Sequence, residues 1–173
     1  MKVFTREQCG LQAPNMGRMA LRPAGTVWGI TAHVTVTGEN DPLNTWREIQ
    51  ASYMNGHNVN HEVYGDIPYN VGITMAGDVL DGRDTRYVGA HALSAGNVAN
   101  RCTNGVVFIG EGNRITPEAE EAFKVVAWTT SLAVGHRVTL LGHSDWSHFG
   151  GPITGCPDPP ILAFVRAVSA AAH

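Results

Sequence analysis

Three residues in this 173-residue chain have side chains that can share a soft metal ion: His33, His143 and Cys156. His143 directly follows Leu140-Leu141-Gly142, and Cys156 lies in the Gly- and Pro-rich stretch Thr154-Gly155-Cys156-Pro157. Zinc takes nitrogen and sulfur donors in tetrahedral geometry, and a catalytic site keeps one of its four positions for water. Two histidines and one cysteine match three protein ligands and one open position. A second reading stands beside this one: a strand histidine can simply be hydrogen-bonded in a core, and a lone cysteine can be a small hydrophobe. Which reading holds depends on whether the elements that carry the three residues converge.

The β-branched run over residues 26–36 predicts a buried strand with His33 near its C-terminal end. Thr45 with Glu48 forms a capping box that predicts a helix over 45–55, stopped by Gly56. Runs at 69–75 and 79–83, joined by Ala76-Gly77-Asp78, predict a hairpin. Residues 105–110 are the most apolar short run and predict a central strand. Thr116-Pro117 starts a helix with Glu118, Glu120 and Glu121 at its positive end, and Gly135 closes it. Ala119, Ala122, Phe123, Val126 and Ala127 form its buried face. A strand over 137–141 delivers His143, and Pro159-Pro160 opens a last helix with Ile161, Phe164, Val165 and Val168 turned inward.

Residues 1–25 read as an irregular lead-in, 87–91 as a short extension and 92–103 as a polar loop, while 169–173 carry no signal. Interleaved strands and helices without an internal repeat give the α/β class: a central mixed β-sheet flanked by helices, in one domain over 1–173.

Composition narrows the partners. A hydrophobic content of 43% suits one real core, and a net charge of −3 with no basic stripe argues against nucleic acid or an anionic membrane as partner. No apolar run approaches the roughly 20 residues of a bilayer span, and the first six residues lack the apolar segment of a secretory signal. Synthesis in the cytoplasm without a signal peptide is therefore expected. Cys9, Cys102 and Cys156 are too few for a disulfide framework, and Cys9 and Cys102 read as buried thiols.

Several ordered segments resemble the zinc-dependent N-acetylmuramoyl-L-alanine amidases, a family that includes phage lysozyme-type amidases and the peptidoglycan recognition proteins. Thr5-Arg6-Glu7-Gln8-Cys9-Gly10 resembles the family's opening segment, with Cys9 where a tryptophan is usual, and Ile30-Thr31-Ala32-His33-Val34-Thr35 resembles its first-ligand strand. Asp66-Ile67-Pro68-Tyr69-Asn70 is similar to the tyrosine-bearing segment. Asp81-Gly82-Arg83 and Val88-Gly89-Ala90-His91-Ala92 are similar to the segment after it. The run from Asn104 to Gly110 resembles the central strand. Gly142-His143-Ser144-Asp145 and Thr154-Gly155-Cys156-Pro157 resemble the second- and third-ligand segments. Together they span about residues 3 to 162.

The resemblance implies that His33, His143 and Cys156 bind Zn2+ and that Tyr69 lies beside the metal-bound water. It implies cleavage of the amide between the lactyl group of N-acetylmuramic acid and L-alanine in bacterial peptidoglycan. His91, Asn70 and Trp146 are then expected at the muropeptide, and Thr154 stands where the phage enzymes often carry a lysine. The loop from His143 to Cys156 is longer than usual and holds Trp146, His148 and Phe149, which either wall the substrate groove or pack the loop. Asp145 either orients a ligand or starts a turn, and His57, His61 and His136 read as solvated surface groups. The expected protein is a monomeric phage endolysin that acts on the cell wall after release. Its alternatives are a non-catalytic peptidoglycan-binding module, or a structural zinc domain with His148 as a fourth ligand.

Overall fold

In the computed structural model, which describes residues 1–171, six strands form a sheet. They are β1 (Val3–Phe4), β2 (Gly29–Val34), β3 (Val71–Thr74), β4 (Val79–Asp81), β5 (Thr103–Ile109) and β6 (Thr139–Gly142). Their spatial order is β1-β4-β3-β5-β2-β6, and every neighbouring pair is parallel except the β3–β4 hairpin. β2 and β5 are interior neighbours and are buried along their whole lengths, the pattern expected of parallel strands covered on both faces.

Side chains along β2 alternate between faces. Ile30, Ala32 and Val34 join a core with Val106, Phe108 and Leu140, covered by α4 (Pro117–Val134) and α5 (Pro159–Ala171) through Phe123, Val126, Ile161 and Val165. Burial of Phe123 is complete and contributes about 2–3 kcal/mol. Thr31 and His33 point to the opposite face. There α1 (Arg6–Cys9) and α2 (Pro42–Met54) bring Cys9 and Trp46 onto Leu80, Val107 and Ile109. This layering is the α/β architecture expected from the sequence.

Local chemistry sets the element ends. α4 starts and stops as predicted: Thr116 Oγ1 accepts from Ala119 N, Pro117 sits in the first turn, and Gly135 takes φ +77° at the C-cap. α2 begins earlier than the predicted 45. Asp41 caps it through Asn44 N, and Pro42 sits in the first turn, so the Thr45–Glu48 pair lies inside the helix. The lead-in is more regular than expected. β1 pairs with β4, and α1 carries its own capping box between Thr5 and Gln8. The loop expected over 92–103 contains α3 (Val98–Cys102), and the 87–91 extension is reduced to a single bridge between Leu21 and Tyr87. Of the 169–173 tail, residues to Ala171 continue α5 and the last two lie outside the described residues. Among the described residues no helix is long and apolar enough to cross a membrane.

Candidate metal centre

Sheet register brings the first two candidate ligands together. Ala32 of β2 pairs with Gly142 of β6, so His33 and His143, one residue on, leave neighbouring parallel strands at the same level. Their rings lie 4.6 Å apart between centroids. Beyond Gly142 the chain turns into a 3-10 segment, His143–Phe149, fixed by Asp145. Its Oδ2 accepts from Gly142 N at 2.8 Å, and its Oδ1 accepts from Arg166 of α5 at 2.9 Å. Asp145 therefore anchors the turn rather than a ligand. Gly142 packs closely against the α5 side, where a Cβ would lie 2.5 Å from Leu162 Cδ1 and displace that side chain.

The third candidate ligand is folded back onto the first two. Ser144 N donates to Cys156 O at 2.7 Å, which ties together the ends of the long loop, and Cys156 N donates to Thr154 Oγ1 at 3.2 Å. Cys156 Sγ thereby lies 3.8 Å from His33 Nδ1, and one donor atom from each of His33, His143 and Cys156 falls within 4.8 Å of the others.

These residues fit a zinc ion. Bond lengths of ~2.3 Å to sulfur and ~2.0 Å to nitrogen at the tetrahedral angle hold those two atoms about 3.5 Å apart. In addition, His143 Nε2 is buried and has no hydrogen-bond partner, an orphaned donor-acceptor position that the protein does not otherwise satisfy. Among the described residues no fourth His, Cys, Asp or Glu joins the three, and His148 is exposed.

Burial keeps the site neutral in the absence of a cation. It holds the His33 imidazole well below its ordinary range, helped by neighbouring His143 and His91, and it lowers His143 as well. Burial pushes His91 down to about 3 and the Cys156 thiol up to about 11. The imidazoles thus already offer lone pairs at neutral pH, whereas the thiol must lose its proton to become a ligand.

The remaining predicted site residues divide. Tyr69 is beside the centre: its ring is 5.1 Å from that of His33 and stacks at 17° on Trp46 on the sheet's α2 side. Thr154 belongs to the ligand loop through its bond to Cys156 N. His91 touches His33 directly, through Nδ1 at 3.1 Å from His33 Nε2, and is itself buried. Both its ring nitrogens, expected from the sequence to face the muropeptide, are engaged inside the protein.

Asn70 and Trp146, expected at the muropeptide, both lie inside the protein. Asn70 is buried and pins backbone, donating to Arg83 O and accepting from Gly105 N. Trp146 is 1% exposed, packs on Ala92, Ala99 and Trp28, and donates from Nε1 to Thr31 Oγ1 at 3.0 Å. Of the other rings in this loop, His148 and Phe149 are exposed. His57, His61 and His136 are exposed, as expected, while Cys9 is buried and Cys102 partly so.

Sequence reasoning missed the bed on which His91 rests. A Cβ at Gly89 would come within 2.7 Å of the His91 ring, and one at Gly105 within 2.6 Å. A glycine inside an apolar strand signals a close approach, and Gly105 in β5 was the available sign.

No protein-family model matches the sequence, and no curated protein matches it. Solved structures do share its fold. Drosophila peptidoglycan recognition protein LB superposes with a TM-score of 0.78 at 20% identity, over 96% of this chain and 93% of that one. Peptidoglycan recognition protein LE in complex with tracheal cytotoxin, a monomeric diaminopimelic acid-type peptidoglycan, gives 0.77 at 18% identity, over 95% and 92%. The N-acetylmuramoyl-L-alanine amidase LysC from Clostridium intestinale gives 0.69 at 17% identity, over 97% of each chain. The chain thus has the fold common to peptidoglycan recognition proteins and this amidase.

Proposed function

We propose that this chain is a zinc-dependent N-acetylmuramoyl-L-alanine amidase, which hydrolyses the amide between the lactyl group of N-acetylmuramic acid and L-alanine in bacterial peptidoglycan. Cell-wall lysis, as by a phage endolysin, is the setting we infer. The observation that carries this reading is the convergence of donor atoms from His33, His143 and Cys156 within 4.8 Å, with Tyr69 against His33. Three protein ligands, rather than four, leave a coordination position for substrate chemistry.

Held by these three residues, zinc would supply Lewis acidity toward the scissile carbonyl and toward water. Two neutral imidazoles and one thiolate offset only one of its two positive charges, so the chain's own ligands leave the site electropositive. The Tyr69 hydroxyl, kept protonated by burial, donates a hydrogen bond to the oxyanion that develops as the amide carbonyl becomes tetrahedral. Thr154 accepts from Cys156 N and still has its own hydroxyl proton to give, a second neutral donor on the ligand loop.

The test is release of L-alanine amino termini from purified peptidoglycan by the zinc-loaded protein. Release that disappears in Cys156→Ser, together with the bound zinc, is the expected result. A zinc-loaded protein that binds peptidoglycan and frees no amino termini would instead be a recognition module.

A further inference from the structure

The His33–His91 contact fixes more than packing. Both imidazoles are buried, at 1% and 5% exposure, and they stand edge to face with His33 Nε2 3.1 Å from His91 Nδ1. The other nitrogen of His91, Nε2, lies 3.4 Å from the backbone carbonyl oxygen of Thr103. A carbonyl oxygen only accepts, which gives the chain of bonds one direction. His91 carries its proton on Nε2, so its Nδ1 presents a lone pair. His33 must then carry its proton on Nε2, so His33 Nδ1 presents a lone pair toward Cys156 Sγ. The reverse arrangement sets a lone pair of His91 against the Thr103 oxygen and leaves a buried polar group unpaired, at a cost of about 1–3 kcal/mol.

We propose that His91 is a positioning residue, which locks His33 in the Nε2–H tautomer and aims its Nδ1 at the metal position shared with His143 and Cys156. This inference rests on the metal reading above and extends it by one residue outward.

The surroundings of His91 are built to hold its ring. Gly89 and Gly105 are bare where a Cβ would meet it. Asn100 Oδ1 accepts from the backbone N–H of both His91 and Ala92, at 2.7 and 3.1 Å, while Asn100 Nδ2 donates to Ala92 O. Backbone and ring are thus fixed independently. Metal-bound histidines ordinarily give their outer N–H to a carboxylate, a carbonyl or water. A neutral imidazole in that place orients the ligand without adding negative charge, which preserves the site's electropositive character.

Nitrogen-15 NMR of the metal-free protein at neutral pH reads the tautomers without any variant. The expected result is Nε2–H for both His33 and His91, and an Nδ1–H His33 overturns the proposal. His91→Phe keeps a ring and removes the acceptor, whereas His91→Asn returns an oxygen close to the place of Nδ1. Zinc affinity, measured by chelator competition, is expected to fall about 10–100-fold in His91→Phe and to recover most of that loss in His91→Asn. A folded His91→Phe protein with wild-type zinc affinity overturns the proposal. Wild-type protein that binds no zinc would defeat the metal reading, and the tautomer measurement on metal-free protein separates that failure from this one.

Discussion

The rings of His33 and Tyr69 face each other at 5.1 Å between centroids, tilted by 57°. Trp46 stacks on Tyr69 and is itself fixed, because its Nε1 donates to Asp81 O at 3.0 Å. Tyr69 is therefore placed by two rings, one of them a candidate metal ligand. Burial raises its phenol well above the ordinary range, so its hydroxyl keeps its proton at neutral pH.

Tyr69→Phe keeps both ring contacts and removes only the hydroxyl. Turnover of peptidoglycan is expected to fall about 10²–10³-fold, the usual cost of losing one oxyanion donor, with zinc content and thermal midpoint close to wild type. Steady-state kinetics beside metal analysis checks this, and full turnover in the variant would remove Tyr69 from the chemistry.

Zinc binding should release one proton per ion near neutral pH. The Cys156 thiol, pushed up to about 11 by burial, is protonated in the metal-free protein, whereas the depressed imidazoles of His33 and His143 are already neutral. Between roughly pH 7 and 8.5 the apparent affinity is expected to rise about tenfold per unit. Calorimetry in buffers of different ionisation enthalpy measures the proton count, and a pH-independent affinity would contradict a thiolate ligand.

Metal-free protein should lose stability in mild acid. His91 is held down to about 3, against an ordinary 6.5 in the unfolded chain. Its contribution is present above pH 6.5 and is lost as pH falls from there toward 3. At pH 5 the loss from His91 alone is about 2 kcal/mol, and His33 adds to it in the same direction. Urea midpoints at pH 7.5 and 5.0 measure the effect, and equal midpoints would mean that these imidazoles are not buried as neutral groups.

Trp146→Phe separates packing from substrate contact. The variant loses the Nε1–H bond to Thr31 Oγ1 and should be destabilised by about 1–2 kcal/mol, while KM for cell-wall fragments stays within about twofold. A KM that rises strongly without loss of thermal stability would return Trp146 to the substrate surface.

Much of the candidate metal centre was legible because its carriers have strong local patterns. The run around His33, rich in β-branched residues, is what a parallel strand covered on both faces requires, and Thr116-Pro117 with Gly135 marks α4 at both ends. Other features depend on partners far along the chain. His91 meets His33 across 58 residues and Trp146 meets Thr31 across 115, so no periodicity records either contact. A loop tryptophan reads as exposed until the distant hydroxyl that satisfies it is known. β1 is two residues long, too short for any alternation, and the start of α2 was decided by Asp41 and Pro42 over an equally plausible signal at Thr45.

The position of the ligands along the chain also has a kinetic consequence. His33 leaves β2, His143 follows β6, and Cys156 comes later still, with β3, β4, β5 and α4 folded in between. The three donors therefore meet only after the parallel strands have paired, and that pairing must first overcome the entropy of closing long loops. A metal ion would therefore meet a nearly finished sheet and have little to template. Its stabilisation would fall on the native side of the barrier, slowing unfolding and leaving the folding rate almost untouched. Chelation would then show itself as a shorter native lifetime, with refolding as fast as before.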